Sequence, residues 1–421
     1  MRTILLCVAS FFYSTAFAQR DCGTDSYWQE QLRANPGLIA RQREISIFTD
    51  KFIHSSSMQM KEQGADPSGS AMITIPVVVH ILYEDPIQNI SEAQVQSQID
   101  VLNADFRSLN SDIEKVPNAF APLVADCQLR FELAKVDPEG RATNGIVRKQ
   151  TGRMFWVQDD RMKKTSLGGD DPWDSRRYLN IWVCNLFSTL LGYSTFPGAP
   201  PDKDGVVIRT DVFGINTSGS AYSKGRTTTH EIGHWLNLKH LWGDAPCGDD
   251  GVDDTPQQKT YSNGCPSFPN LSSDCNPGPN GDLFMDFMDF TDDACMQMFT
   301  QGQKQRIWAI FAEGGPRSSI LTSNALGSPW IDSLQASPSV ASTPNGIFVY
   351  PNPANMQLRI RDESELSGSS YMIYNSTGRL VLSGICNSHT PTINIGKLAP
   401  GIYFLKLIGP REKRGAQFIK N

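Results

Sequence analysis

The sequence is short of charge, and the charge that it has is not basic. Only 19% of its 421 residues are charged, and the formal net charge is -6. A protein that binds nucleic acid or an anionic membrane needs a basic surface, so neither partner is indicated. Histidine is scarce, with six residues in the whole chain. Proteins and peptides are therefore the expected partners.

Long apolar runs are absent after the N-terminus. Arg2 precedes an apolar run at 4–13, and Ala16-Phe17-Ala18 has the small-x-small form of a signal-peptidase site. These features predict a signal peptide over residues 1–18. No later stretch reaches the ~20 apolar residues of a membrane-spanning helix. We therefore expect a secreted, extracellular protein without a transmembrane segment, with attachment to the cell surface before release as an option.

The rest of the chain changes texture several times. Residues 19–65 are polar and show no sustained period, which predicts a removable or loosely ordered pro-segment. Residues 66–326 are globular and contain candidate strands at 75–83, 179–186, 191–196 and 205–208, and helices near 92–106 and 301–311. A linker rich in Ser, Pro, Ala and Gly covers 327–346. Residues 347–421 alternate as in a small all-β sandwich.

The nine cysteines fit an oxidising compartment. Cys22 stands alone near the N-terminus. Four others fall in the segment 241–300, which is rich in turn residues: Cys247, Cys265, Cys275 and Cys295. Two disulfides are expected there, and the spacing leaves three connectivities open. Cys127 and Cys184 form a third pair or stay as buried thiols, and the sequence does not decide between the two.

Three of the six histidines lie within eleven residues. His230 and His234 are four residues apart, so one helix face presents both to a single metal ion. His240 reaches the same ion if the helix ends at Asn237 and the chain turns there with φ > 0. Three imidazoles and an open fourth position are typical of a catalytic zinc site.

Glu231 lies beside these histidines. In such a site the zinc-bound water attacks the carbonyl of a peptide bond, and Glu231 acts as the general base and then as the general acid. An amphipathic helix that carries three histidines by chance is the structural alternative. The presence of Glu231 at this position favours the enzyme.

The segment 287–296 reads Phe-Met-Asp-Phe-Thr-Asp-Asp-Ala-Cys-Met. Together with the histidine motif, it resembles the pappalysin-type (M43) metzincins, and in particular the secreted bacterial members of that family. The resemblance covers about 75–326. It implies an α/β (α+β) metzincin-like catalytic domain with a twisted sheet, a zinc-binding helix and a Met-turn at Met288. Phe290 replaces a tyrosine of most relatives, so its side chain has no hydroxyl to stabilise an oxyanion.

The same resemblance implies disulfides between Cys247 and Cys275 and between Cys265 and Cys295. It also implies structural calcium in the loop that follows Cys247, where oxygen ligands cluster. The candidate calcium ligands are Asp250, Asp253, Asp254 and Thr255. A solvated acidic loop is the alternative.

Two further acidic residues follow the predicted Met-turn. Asp292 and Asp293 lie where metzincins form the pocket for the residue after the scissile bond. A carboxylate buried there without a partner is unfavourable, and a substrate Arg or Lys would supply one. Both carboxylates facing water is the alternative. The strand at 191–196 resembles the edge to which an extended substrate adds.

Residues 20–24, Arg-Asp-Cys-Gly-Thr, resemble a cysteine switch. In this reading the Cys22 thiolate occupies the open zinc position in the zymogen. An unpaired cysteine is the alternative.

The C-terminal segments 349–354 and 398–406 resemble the sorting domain of proteins exported by type IX secretion, which makes that machinery a partner. A carbohydrate- or protein-binding module is the alternative for this domain. For the whole chain, the rival to a zinc endopeptidase is a catalytically weak or inactive metal-containing binding protein or adhesin. The departures at Asn237 and Phe290 are its support.

Overall fold

The computed structural model divides into two compact units, Met1–Ser328 and Pro329–Asn421. It describes residues 20–63, 72–271, 274, 275, 277–329, 348–350, 352, 354–361, 368–375, 379–386, 391–408 and 413–421. The predicted signal peptide and nearly all of the predicted linker lie outside these ranges. Within them, no helix is both long and apolar enough to cross a membrane.

The N-terminal segment is helical, so the expectation of loose order is wrong for the described residues 20–63. Helix α1 spans Thr24–Ala34 and helix α2 spans Gly37–Gln63. Leu38, Ile45 and Thr49 are buried in α2. Their spacing of seven and four residues places them on one helix face. This signal is present in the sequence, but charged residues between the three positions hide it.

A mixed sheet forms the first unit. Its strands are β1 Ile73–Tyr83, β2 Leu129–Leu133, β3 Ile146–Gln150, β4 Leu179–Cys184, β5 Gly192–Ser194 and β6 Val206–Arg209. The order is β2-β1-β4-β6-β5, and β3 pairs with the second half of β1. Only the β5–β6 pairing is antiparallel among these strands. Strands β2 and β3 are not predicted from the sequence, because they are short and rich in charged residues.

Three more helices belong to the first unit, and the chain between the last two of them has no helix or strand in its described residues. Helix α3 spans Glu92–Asp105 and is capped by Ser91, whose hydroxyl accepts from the Gln94 amide. Helix α4 spans Arg226–Trp235 and helix α5 spans Gln301–Ala309. The main core contains β1, α3 and α4 side chains such as Val79, Leu102 and Ile232. Every residue of α4 is buried, so the fold holds this helix in the interior.

The cysteines of the first unit have distinct states. Cys247 pairs with Cys275 and Cys265 with Cys295, with Cα–Cα distances of 5.5 and 5.6 Å. This is the pairing that the family resemblance implies. Cys127 and Cys184 are buried free thiols, so they do not form a third disulfide.

The second unit is all β, as the sequence predicts. Its strands are β7 Phe348–Tyr350, β8 Gln357–Arg361, β9 Ser370–Asn375, β10 Leu380–Ile385, β11 Thr392–Asn394, β12 Gly401–Ile408 and β13 Lys413–Lys420. They form two antiparallel sheets, β10-β9-β12-β13 and β11-β8-β7. Leu358, Ile373 and Phe418 belong to the shared core.

Candidate active site

Helix α4 ends where the third histidine needs it to end. The last turn is followed by Asn237, which has φ of 78°, the left-handed conformation that the sequence predicts there. The Arg306 guanidinium of α5 donates to the Asn237 carbonyl at 2.7 Å. The turn brings His240 back beneath α4, so three histidines meet in the interior.

The three imidazoles point their Nε2 atoms at one another. The separations are 3.2 Å between His230 and His234, 3.3 Å between His230 and His240, and 3.1 Å between His234 and His240. Each Nδ1 faces an acceptor oxygen. The acceptors are the carbonyls of Phe287 and Leu238 and, for His240, the carboxylates of Asp25 and Asp244. With the proton on Nδ1, three Nε2 lone pairs converge on one point.

This donor set fits zinc. Zinc bonds to nitrogen at about 2.0–2.1 Å and to sulfur at about 2.3 Å, so a tetrahedral ion requires N···N separations of about 3.3 Å and S···N of about 3.6 Å. The Cys22 sulfur lies 3.6 Å from His234 Nε2. Burial lowers the pKa of His230 and His234, which keeps both neutral as ligands must be. Burial also lowers the pKa of His240, but the carboxylates of Asp25 and Asp244 outweigh it and raise that pKa. The four residues therefore have the chemistry and the spacing to hold one zinc ion.

Glu231 lies next to this cluster with one oxygen occupied. Its Oε2 accepts from the Thr24 hydroxyl at 2.8 Å, while Oε1 is buried and has no hydrogen-bond partner in the described structure. Burial raises the pKa of Glu231 to about 7. Gly192 on β5 makes room for this side chain, because an added Cβ would lie 3.1 Å from Glu231 Cγ.

Met288 lies beneath the helix. Its sulfur packs against Gly233, where an added Cβ would overlap it, and its amide donates to Asp286 at 2.8 Å. The Phe290 ring packs against His230 and His240 with centroid distances of 5.5 and 4.9 Å. Phe290 thus contributes an apolar ring beside two imidazoles and has no hydroxyl to donate.

The N-terminal segment occupies the edge strand that was expected to receive substrate. The Gly23 amide donates to Gly192 O and the Leu191 amide to Asp21 O, both at 2.9 Å, in a parallel bridge between Cys22 and Gly192. The Thr24 hydroxyl accepts from the Ser194 amide at 2.9 Å. Residues 21–24 therefore lie along β5 and block it.

Arg20 fills a pocket that contains Asp293. Its Nη2 is 2.5 Å from Asp293 Oδ1, and both side chains are 1% exposed. The guanidinium also donates to the Thr227 hydroxyl at 3.1 Å and lies over the Tyr222 ring. In this form of the chain the partner of the Asp293 carboxylate is Arg20 of the chain itself. The sequence offered one signal for Arg20, its place beside Cys22 in the switch-like motif.

Asp292 differs from its neighbour. Its carboxylate is half-buried, and burial raises its pKa while the charge of Arg20 lowers it. Asp293 Oδ2, by contrast, also accepts from the amides of Lys224 and Arg226 at 2.9 and 3.2 Å. Of the two predicted pocket residues, only Asp293 forms an ion pair within the described structure.

The loop after Cys247 gathers oxygen atoms around one hydroxyl. Thr255 Oγ1 lies 2.9 and 3.1 Å from the two carboxylate oxygens of Asp250 and 2.8 Å from Val252 O. A hydroxyl has one proton and can donate to only one of them. Asp254 has another role, because it accepts from Thr300 Oγ1 and the Gly302 amide at the start of α5. Asp253 is exposed.

Known proteins share both units. A profile of the M43 peptidase family, described as pregnancy-associated plasma protein-A, matches residues 164–312, and one of the secretion system C-terminal sorting domain matches 348–421. An extracellular metalloprotease of the fungus Arthroderma benhamiae is 32% identical over 267 residues, covering 61% of this chain and 84% of that protein.

Two solved structures are similar as well. Mature mirolysin of Tannerella forsythia in complex with a cleaved peptide is 47% identical, with a TM-score of 0.60, and covers 62% of this chain and 100% of that one. A promirolysin mutant of the same organism is 42% identical, with a TM-score of 0.63, and covers 74% of this chain and 99% of that one.

Fold and relatives define the class: the chain is a metzincin-type zinc metalloendopeptidase. It belongs to the M43, or pappalysin, family and carries a type IX sorting domain, so it is a secreted, extracellular protease. The fungal relative is a metalloprotease, which favours the enzyme over the binding-protein alternative.

Proposed function

We propose that the chain is an endopeptidase zymogen in which His230, His234 and His240 hold the catalytic zinc and Glu231 transfers protons. The observation that supports this most directly is the convergence of three Nε2 atoms next to a buried carboxylate. Zinc, when bound, supplies a Lewis acid and makes a water more acidic.

Glu231 has the properties of the proton-transfer group. Oε1 is buried and accepts no hydrogen bond within the described structure, so it is available to take a proton. A carboxyl with a pKa of about 7 can accept a proton and release it again near neutral pH. Glu231 can therefore serve the attacking water first and the leaving amine second.

Latency follows from the same geometry. Cys22 takes the fourth ligand position, Thr24 occupies one oxygen of Glu231, and residues 21–24 cover β5. A substrate cannot add to that strand until the segment leaves. Promirolysin covers more of this chain than mature mirolysin does, 74% against 62%, which supports a removable pro-segment here.

The test of the proposed function is digestion of a diverse peptide library by the activated protein, with and without a zinc chelator. Cleavage should stop on chelation and return when zinc is added back. Cleavage that continues at full rate in chelator would contradict a zinc mechanism.

We further propose that the Asp293 pocket selects Arg or Lys after the scissile bond. Arg20 already satisfies this pocket with a guanidinium that contacts an acidic, a hydroxyl and an aromatic side chain. When Arg20 leaves, Asp293 loses a buried charge partner, which is unfavourable unless a substrate cation replaces it. Arg is expected to exceed Lys, because its planar fork matches these contacts.

Asp293→Asn should therefore reduce kcat/KM for substrates with Arg after the scissile bond by about 100-fold, since breaking a buried ion pair costs about 3 kcal/mol. Substrates with Leu there should change little. Asp292→Asn is the matched control and should keep the preference. Mass-spectrometric mapping of the cuts decides it: equal cutting before Leu and Arg by the wild type would eliminate the acidic pocket.

Structural calcium in the Asp250 loop is also a proposal. Three oxygens around one hydroxyl are suited to a hard cation, and burial raises the pKa of Asp250 to about 6, which a cation would offset. The Gly251 carbonyl of the loop contacts Arg306, which holds Asn237. Arg306 thereby links the Asp250 loop to the turn at Asn237 that precedes His240.

Removing calcium while zinc is retained should lower the melting temperature by several degrees, because a ligand that binds only the folded state stabilises it. Differential scanning calorimetry in a calcium-selective chelator measures this. Asp250→Asn should melt at the lower temperature and respond little to calcium. A melting curve that calcium does not change would contradict the calcium site and leave these oxygens hydrogen-bonded to one another or to solvent.

A further inference from the structure

Tyr27 of α1 lies in a pocket behind β5, on the opposite sheet face from Glu231. The side chain is 1% exposed. Its hydroxyl donates to Asp160 Oδ2 at 2.8 Å, and its ring lies 4.8 Å from the Tyr193 ring. The pro-segment thus inserts a complete tyrosine side chain over the edge of the sheet.

The polar end of this pocket is held by groups outside the pro-segment. Lys163 Nζ is 2.9 Å from Asp160 Oδ1, with both side chains buried, and it donates to Lys203 O at 2.7 Å. The ammonium lies 5.2–5.4 Å from three ring centroids, those of Tyr27, Trp182 and Tyr193. Aromatic walls and a fixed ion pair remain when Tyr27 leaves.

These groups distinguish tyrosine from phenylalanine. Both rings have nearly the same apolar surface, but only the phenol donates a hydrogen bond to the Asp160 carboxylate. A hydrogen bond to a charged group contributes more than one between neutral groups, so its loss should weaken binding about tenfold. A phenylalanine here would remove the hydrogen bond at 2.8 Å and leave Asp160 Oδ2 with the Lys203 ammonium at 3.6 Å.

Tyr27 packs on Tyr193, the residue after the Gly192 that pairs with Cys22. Along the parallel pairing, Asp21 bonds Leu191 and Thr24 bonds Ser194, so the segment follows β5 from one end to the other. Arg20 precedes Cys22 and Tyr27 follows it. If the Asp293 pocket receives the residue after the scissile bond, the Tyr27 pocket lies on the side that precedes the bond.

We propose that Asp160, Lys163 and Tyr193 form a tyrosine-binding subsite that takes a substrate tyrosine preceding the scissile bond once the pro-segment has left. The assignment of the subsite to residues that precede the scissile bond rests on the proposed function, in which the Asp293 pocket receives the residue after that bond. The recognition of a phenol by Asp160 does not depend on the proposed function.

Two measurements test the subsite. In the first, a labelled peptide of residues 24–30, which contains neither Cys22 nor Arg20, is titrated with activated protein, and anisotropy gives its Kd. The Tyr27→Phe peptide should bind about tenfold more weakly. Because only the peptide changes, the folding of the protein is not in question.

In the second, substrates with Arg after the scissile bond carry Tyr, Phe or Ala at each of several preceding positions. One position should favour Tyr over Phe about tenfold in kcat/KM. Asp160→Asn should lose this preference, and Asp159→Asn, at the neighbouring, more exposed carboxylate, should keep it.

Equal affinity for the Tyr and Phe peptides would overturn the subsite. Selective binding without a Tyr preference at any substrate position would overturn its role in substrate recognition. If no peptide is cleaved at all, the proposed function fails, and the anisotropy result still decides whether the pocket recognises tyrosine.

Discussion

Replacing Glu231 with alanine is expected to lower kcat by about 10³-fold, within the 10²–10⁴-fold range of general acid–base catalysis. The reason is geometric, because Glu231 lies beside the three converging histidines and its Oε1 accepts no hydrogen bond in the described structure. The effect should fall on kcat more than on KM, since Glu231 is not proposed to bind substrate.

Zinc content and stability separate this role from a structural one. Glu231 does not belong to the proposed ligand set, so atomic absorption should find the same zinc content in Glu231→Ala as in the wild type. In the activated protein, from which Thr24 and its hydrogen bond to Oε2 have left with the pro-segment, the melting temperature should not fall, because the buried Oε1 forms no hydrogen bond that the variant loses. Glu231→Gln keeps the size and should be equally inactive. Cleavage by either variant at the wild-type rate would reject the proposed mechanism.

Local spacing explains why much of the proposed metal site was predictable. His230 and His234 share a helix face, and Asn237 follows the helix end with the positive φ that its residue type tolerates. The arrangement of residues within a segment of eleven can be predicted without knowledge of the fold. Strand β1 was predictable for a similar reason, since its run of β-branched residues is buried on both faces.

Long-range contacts explain the rest. Arg20 and Asp293 are 273 residues apart in the sequence, and Asp25 and His240 are 215 apart. A single sequence gives no signal for such pairs. Tyr27 was equally hidden, because its burial depends on Asp160 and on the edge of β5. The disulfide pairing came from the family resemblance, since spacing alone left three connectivities.

Replacing Cys22 with alanine should make the precursor active, or make it process itself, sooner than the wild type. The change removes the thiol from the proposed fourth ligand position of the zinc, but it leaves the other contacts of the pro-segment intact. The ion pair of Arg20 with Asp293, in which both side chains are 1% exposed, is one of them. Losing one member of such a pair costs about 3–5 kcal/mol, which shifts the balance between docked and released segment by about 100-fold or more.

The order of effects follows. The Cys22→Ala precursor should be active sooner than the wild type, and Arg20→Ala with Cys22→Ala should be faster still, by about two orders of magnitude if the ion pair contributes in full. Cys127→Ala is the matched control, because this free thiol is buried and is outside the histidine cluster of the described residues; it should stay latent. Reporter hydrolysis and gel time courses on full-length protein measure both processes. If the Cys22→Ala precursor stays as silent as its parent, the thiol does not block the zinc, and if the double variant adds nothing, Arg20 does not anchor the segment.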